Sequence, residues 1–166
     1  MPVQEVLVYP DPRLKQVCDP AITGSDTTTN LVRDLVDTMY DSGHSVGIAA
    51  PQIGICLRVA VVDVSHNKLG KKHNHGLMVL INPTIIESSG SKTMREGCMS
   101  VPDYTGNVER AREIVVQFTN SDGNDQVVRC KGFEAVAIQH ELDHLDGFLF
   151  IDRVSNPGTD IFKRKH

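Results

Sequence analysis

Between residues 27 and 40 the chain places Leu31, Leu35 and Met39 four apart, with Val32 and Val36 beside them. That spacing predicts an amphipathic helix over Thr27 to Tyr40. Ser25 or Asp26 can cap its start, and Ser42-Gly43 follows its end. A second helix is predicted from Phe133 to Leu145. There Phe133, Val136, Ala137, His140 and His144 recur at i, i+3, i+4, i+7 and i+11 as one stripe, and Gly147 is a natural stop. Leu57 to Val64 is densely β-branched and reads as a buried strand. Met78 to Ile86 reads as another, broken or bent at Pro83, which cannot donate to a ladder. Glu113 to Thr119 and Gln126 to Cys130 flank Asn120-Ser121-Asp122-Gly123-Asn124 and predict a hairpin. Gly47 to Gly54 is rich in small residues, which predicts an irregular or strand-like stretch approached closely by another segment. Glu5 to Tyr9 ends at the turn signal Pro10-Asp11-Pro12. Asn67 to Gly76 is a polar loop and Ser88 to Ser91 a turn. The tail from Asp152 to His166 reads as irregular, or at most a short helix. Two helices among several short strands predict an α+β fold rather than alternating βαβ units.

Composition narrows the function classes. A chain of 166 residues fits one domain, residues 1–166, with a real core. Lys plus Arg is 17 and Asp plus Glu 21, for a net charge of -4, which argues against a dedicated nucleic-acid binder. No apolar run reaches the roughly 18 residues needed to span a bilayer. Met1 to Pro10 lacks the basic and apolar regions of a signal peptide, so no membrane partner and a cytoplasmic location are expected. The cysteines at 18, 56, 98 and 130 are too widely and irregularly spaced for a disulfide framework, which agrees with a reducing compartment.

Chemistry enters with His140-Glu141-Leu142-Asp143-His144 in the second helix, an HExxH pattern. Two His four apart project from one helix face and can hold one metal. Glu141, about 100° round from His140, is placed to reach a water at the metal rather than the metal itself. A third ligand is needed. His44, His66, His73, His75 and His166 compete with several Asp, Glu and Cys, and Cys98 in Glu96-Gly97-Cys98-Met99-Ser100 is the best placed. A Cys, His, His set leaves one tetrahedral position open, as catalytic sites do. The thiolate selects a borderline-soft cation such as Fe²⁺ or Zn²⁺. Cys18, Cys56 and Cys130 read as packing residues.

Three separated stretches carry a resemblance to peptide deformylases. Ser45-Val46-Gly47-Ile48-Ala49-Ala50-Pro51-Gln52 resembles their Gly-φ-Gly-φ-Ala-Ala-x-Gln, where φ is apolar. Glu96-Gly97-Cys98-Met99-Ser100 resembles Glu-Gly-Cys-Leu-Ser. Gln139-His140-Glu141-Leu142-Asp143-His144-Leu145-Asp146-Gly147 resembles Gln-His-Glu-x-Asp-His-Leu-x-Gly. All three occur in order, and the likeness runs from Tyr9 to Asp152. Two departures stand out: Ser45 replaces the first motif glycine, and Met99 the usual leucine. The resemblance implies an α+β deformylase fold, with mixed strands around the HExxH helix and an N-terminal helix.

It also implies removal of the N-formyl group from formyl-methionine on new polypeptides, with release of formate. Cys98, His140 and His144 would hold the metal, Fe²⁺ in the cell, with Zn²⁺ or another divalent ion suiting the same set. Glu141 would be the general base. The Gln52 amide and the Met99 backbone N–H would receive the oxyanion, and Gly47 and its neighbours would pair with the peptide. Val46, Gly47, Ser45 and Glu96 are the candidate substrate-binding residues, together with Phe133, Val136 and Ala137 on the helix stripe. Partners on this reading are N-formyl-methionyl peptides and nascent chains, with at most a transient ribosome contact, and the state is monomeric. Asp143 and Glu96 can also orient ligands, with Arg110 a candidate partner for Glu96. His73-Asn74-His75 reads as a solvated loop without an acidic or Cys partner, and Lys163-Arg164-Lys165 as a disordered basic tail. The competing readings are another HExxH metallopeptidase and a deformylase-like binding protein without turnover.

Overall fold

The computed structural model describes residues 3–164. Helix α1 spans Asp26–Asp41, and Ser25 caps it by accepting from the Thr28 N–H at 3.2 Å. Helix α2 spans Gly132–Leu145. A five-stranded antiparallel sheet runs in the order β1-β2-β3-β6-β7, with β1 Gly47–Ala49, β2 Val59–Val62, β3 Met78–Ser89, β6 Glu113–Thr119 and β7 Asp125–Lys131. A second sheet joins β4 Lys92–Cys98, β5 Val101–Arg110 and β8 Ile161–Lys163 in the order β4-β5-β8. Two helices packed against small antiparallel sheets make this an α+β fold.

The larger sheet lies between the helices. Side chains alternate across a strand, so Val59 and Val61 of β2 pack with Leu31, Leu35 and Met39 of α1. Val62 faces the other way, onto Ala135, Ala137, Ile138 and Leu142 of α2. Burial on both faces explains why Val59 to Val62 is an uninterrupted apolar run rather than an alternating one. Each fully buried Val or Leu contributes about 1.5–3 kcal/mol. No helix among the described residues is long and apolar enough to cross a membrane.

Four expectations need correcting. Strand β3 is bent at Pro83 rather than broken there and continues to Ser89, which shortens the turn expected at Ser88 to Ser91. The missing proline N–H falls inside a register shift between Ile81 and Thr84, where Asn82 adopts φ +52 and its side chain bonds both backbone groups of Ala21. Residues 92–110, unread as strands because they are mostly polar, form a long hairpin whose two-residue turn is Met99-Ser100. The tail is neither irregular throughout nor helical beyond the short turn Phe150–Asp152, because β8 completes the free edge of β5. The basic end is accordingly placed as far as Arg164, while Lys165 lies outside the described residues. His75 is not free of partners: its backbone N–H and ring Nδ1 meet the buried Glu134 carboxylate at 2.7 and 2.6 Å, with Cys130 Sγ at 4.0 Å. Glu134 is in the first turn of α2, far from the loop in sequence, so only folding could reveal the pairing.

Candidate active site

Helix α2 sets His140 and His144 one turn apart, with ring centroids separated by 5.1 Å. The β4–β5 hairpin delivers Cys98 at the last position of β4, its Sγ 3.5 Å from His144 Nε2. One donor atom each from Cys98, His140 and His144 can be chosen so that all lie within 4.8 Å of one another. Residues 42 positions apart in sequence thus converge, and their S, N, N donor set suits Fe²⁺ or Zn²⁺.

The orientation of His140 is imposed from behind. Its Nδ1 meets Glu96 Oε1 at 2.9 Å, which leaves Nε2 for the metal side. Arg110 clamps Glu96 through two bonds of 2.6 and 3.0 Å and reaches Asp143 at 2.8 Å. Arg153 covers Asp143 from outside at 3.1 and 3.0 Å. Burial opposes the charge on Glu96, but His140 and Arg110 outweigh it and hold the carboxyl below its ordinary range. Burial likewise opposes protonation of His140, yet the Cys98 and Glu96 contacts raise its pKa well above the ordinary value. Burial, then the charges on His140 and Arg110, push His144 well below it, so that imidazole is neutral and able to ligate.

Glu141 is 4% exposed, and its Oε1 has no hydrogen-bond partner among the described residues. Burial raises its pKa to about 7, suited to a group that takes and returns a proton near neutrality. A Cβ built on Gly47 would lie 2.7 Å from Glu141 Oε2, so only glycine leaves the carboxylate its place. Gly47→Ala is expected to lower turnover by about 10²-fold by displacing that carboxylate, with metal content kept. Steady-state assay beside metal analysis checks this, and a near-normal rate would contradict it.

The Glu141 shift also has a stability consequence in metal-free protein. A carboxyl raised from 4.5 to about 7 keeps its proton in the folded state while the unfolded state loses it. Stability is therefore lost as pH rises from about 4.5 to about 7, on the order of 3 kcal/mol in all. Glu141→Gln removes this component, so denaturant unfolding of the two metal-free proteins should agree near pH 4.5 and favour the variant at pH 8.

Gln52 lies in the short turn Ala50–Ile53 that follows β1. Its Oε1 accepts from the Ala49 N–H at 2.9 Å, and its Nε2 donates to Ser100 Oγ at 3.0 Å and faces Cys98 Sγ at 3.4 Å. The N-terminal segment ties both loops together: Leu7 N–H donates to Gln52 O at 2.7 Å and Tyr9 N–H to Ser100 O at 2.8 Å. Ser45 Oγ donates to Gly47 O at 2.8 Å, so the hydroxyl that replaces the motif glycine folds back on β1.

A cavity of about 520 Å³ opens over these groups, with Ser45, Val46, Gly47, Cys98, Met99 and Glu141 among its walls. His140 also borders it. Glu96 does not. It is buried behind His140 in the ion pair with Arg110, so its place is behind a ligand rather than against substrate. Ala137 is in the core cluster under the cavity, with Phe133 and Val46 packed against that cluster. Val136 is 3% exposed, and none of the three helix residues reaches the cavity wall. Ser100, Arg153 and Arg164 were not singled out for this site. Ser100 had a signal, as the last residue of the second motif. The two arginines had none, because they come from the tail.

A thiol and two helix-borne imidazoles converging beside a buried carboxyl with an unpartnered oxygen, on an α+β scaffold, define a metallohydrolase of the HExxH class. Residues 3–160 match the family model described as polypeptide deformylase. The chain belongs to the polypeptide deformylase family. It is 41% identical over 165 residues to a peptide deformylase of Syntrophobacter fumaroxidans, covering 99% of this chain and 94% of that one. A Legionella pneumophila peptide deformylase superposes with TM-score 0.83 at 37% identity, over 92% of this chain and 86% of that one. A class I type b enzyme from Acinetobacter baumannii, solved with Met-Ala-Ser bound, gives TM-score 0.85 at 34% identity, over 92% and 98% of the two chains.

Proposed function

We propose that this protein is a metal-dependent deformylase that hydrolyses the N-formyl group of formyl-methionyl peptides, releasing formate and a free amine. The observation that carries the reading is the meeting of Cys98, His140 and His144 beside the unpartnered Glu141 carboxyl at one cavity. Those three residues would hold Fe²⁺, and the same donors suit Zn²⁺. Bound there, the ion supplies Lewis-acid chemistry, lowering the pKa of water from ~15.7 toward ~7.

The chain's own groups do the rest. Glu141 accepts the proton of the attacking water and returns it to the departing amine. The Gln52 amide, held by Ala49 and Ser100, and the Met99 backbone N–H in the hairpin turn receive the negative charge that develops on the formyl oxygen. The peptide adds as a strand to β1, which is an edge of its sheet and borders the cavity through Val46 and Gly47. The methionine side chain enters beside Val46, with Phe133 and Ala137 in the core packing behind that wall. A formyl carbon bears only hydrogen, so a cramped site admits it and excludes larger acyl groups. That a relative was solved with Met-Ala-Ser bound supports a peptide beginning with methionine as the ligand. The enzyme acts as a monomer in the cytoplasm on nascent chains, touching the ribosome only in passing.

The test is formate release from formyl-Met-Ala-Ser by protein purified without air, with bound metal measured in parallel. Metal without formate would leave a binding protein, and cleavage of internal peptide bonds would indicate a peptidase.

A further inference from the structure

The basic end of the chain returns to the active site. Strand β8 pairs with β5 in the register Tyr104↔Lys163, Thr105↔Phe162 and Gly106↔Ile161, and the Arg95 guanidinium covers the Phe162 ring at 3.7 Å from its centroid. The next residue, Arg164, is fixed by its N–H donating to Asp103 O at 2.7 Å. Its side chain then reaches the wall of the catalytic cavity, which Ser45 to Gly47 also line. The guanidinium rests on Gly97, the neighbour of Cys98. A Cβ on Gly97 would meet Arg164 Nη2, which places the guanidinium directly over this residue.

Two features separate this arginine from an ordinary surface cation. Its guanidinium enters no ion pair among the described residues, whereas Arg110 and Arg153 are both tied to carboxylates. It is also the one Lys or Arg among the described residues that line this cavity. A guanidinium with free donors at a peptide-binding mouth favours carboxylate acceptors, which it can engage through two parallel bonds.

We infer that Arg164 is a specificity-determining residue, selecting formylated peptides that carry a carboxylate side chain at the second or third position. The inference rests on the deformylase reading of the cavity. The positions follow from reach: each extended residue advances the chain by about 3.3 Å. Gly97 adjoins Cys98, so with the formyl group at Cys98, His140 and His144 a side chain one or two residues beyond the methionine comes within reach of the guanidinium on Gly97.

Binding and turnover test it separately. Equilibrium binding of Met-Glu-Ala and Met-Ala-Glu to the metal-loaded enzyme, each against its Lys counterpart, should favour the acidic peptide by about fivefold at one or both positions, a preference that shrinks at high salt. KM for the corresponding formyl peptides should differ in the same sense, with similar kcat. Arg164→Gln is expected to abolish the preference and Arg164→Lys to retain part of it. Lys163→Gln, one residue away on β8, should leave it intact. An unchanged Glu-to-Lys ratio in R164Q, or no preference in the parent enzyme, overturns the inference. Formate release from formyl-Met-Ala-Ser in the same preparations reports on the deformylase reading alone.

Discussion

Replacing Glu141 with Gln is expected to lower kcat/KM for formyl-Met-Ala-Ser by about 10³-fold while leaving about one metal per chain, since positioned general bases contribute 10²–10⁴-fold. Gln nearly matches Glu in volume, so it fills the space that Gly47 leaves open beneath β1. What it lacks is a proton acceptor at Oε1, the atom without a partner among the described residues. Cys98, His140 and His144 are untouched, so metal analysis should separate a failed proton transfer from a failed site. A Glu141→Gln enzyme with near-normal turnover would refute the assignment.

Cys98→Ala should act on the other half of the machinery, leaving protein with less than about a tenth of the parent's metal and no measurable formate release. Two imidazoles on one helix remain, but the soft anionic donor that closes the set is gone, and so is its selectivity for Fe²⁺ or Zn²⁺. Cys98 Sγ also lies 3.4 Å from Gln52 Nε2, so its loss loosens the amide assigned to the oxyanion. Metal content by atomic spectroscopy, with far-UV circular dichroism to confirm folding, decides the point. Full metal retention in the variant would remove Cys98 from the ligand set.

The buried chain behind the ligands is the part of the site least visible in residue order. Glu96 is readable as a motif residue with Arg110 as a candidate partner, but the hairpin that brings their side chains together, four register positions apart, is not. The bond from Glu96 to His140 spans 44 residues, and Arg153 reaches Asp143 from beyond the end of α2. Glu96 was consequently expected at the substrate, although its carboxylate is fully used by Arg110 and His140. The apolar stripe of α2 had a related ambiguity. Periodicity marks Phe133, Val136 and Ala137 as inward-facing, but core and pocket floor are both inward, and the structure places all three short of the cavity wall.

Local chemistry in the sequence determined the two helices, the β6–β7 hairpin, the HExxH pair and the family resemblance, because each depends on spacings of a few residues that fix which side chains share a face. Only the tertiary structure decided the rest. It brought the β4–β5 hairpin's thiol to α2, set Glu141 under Gly47, paired His75 with Glu134 and carried Arg164 back over Gly97. Those contacts join segments whose separation along the chain costs closure entropy and leaves no local trace. Burial and pairing across the whole core hold them together, and neither has a period that a single strand or helix can display.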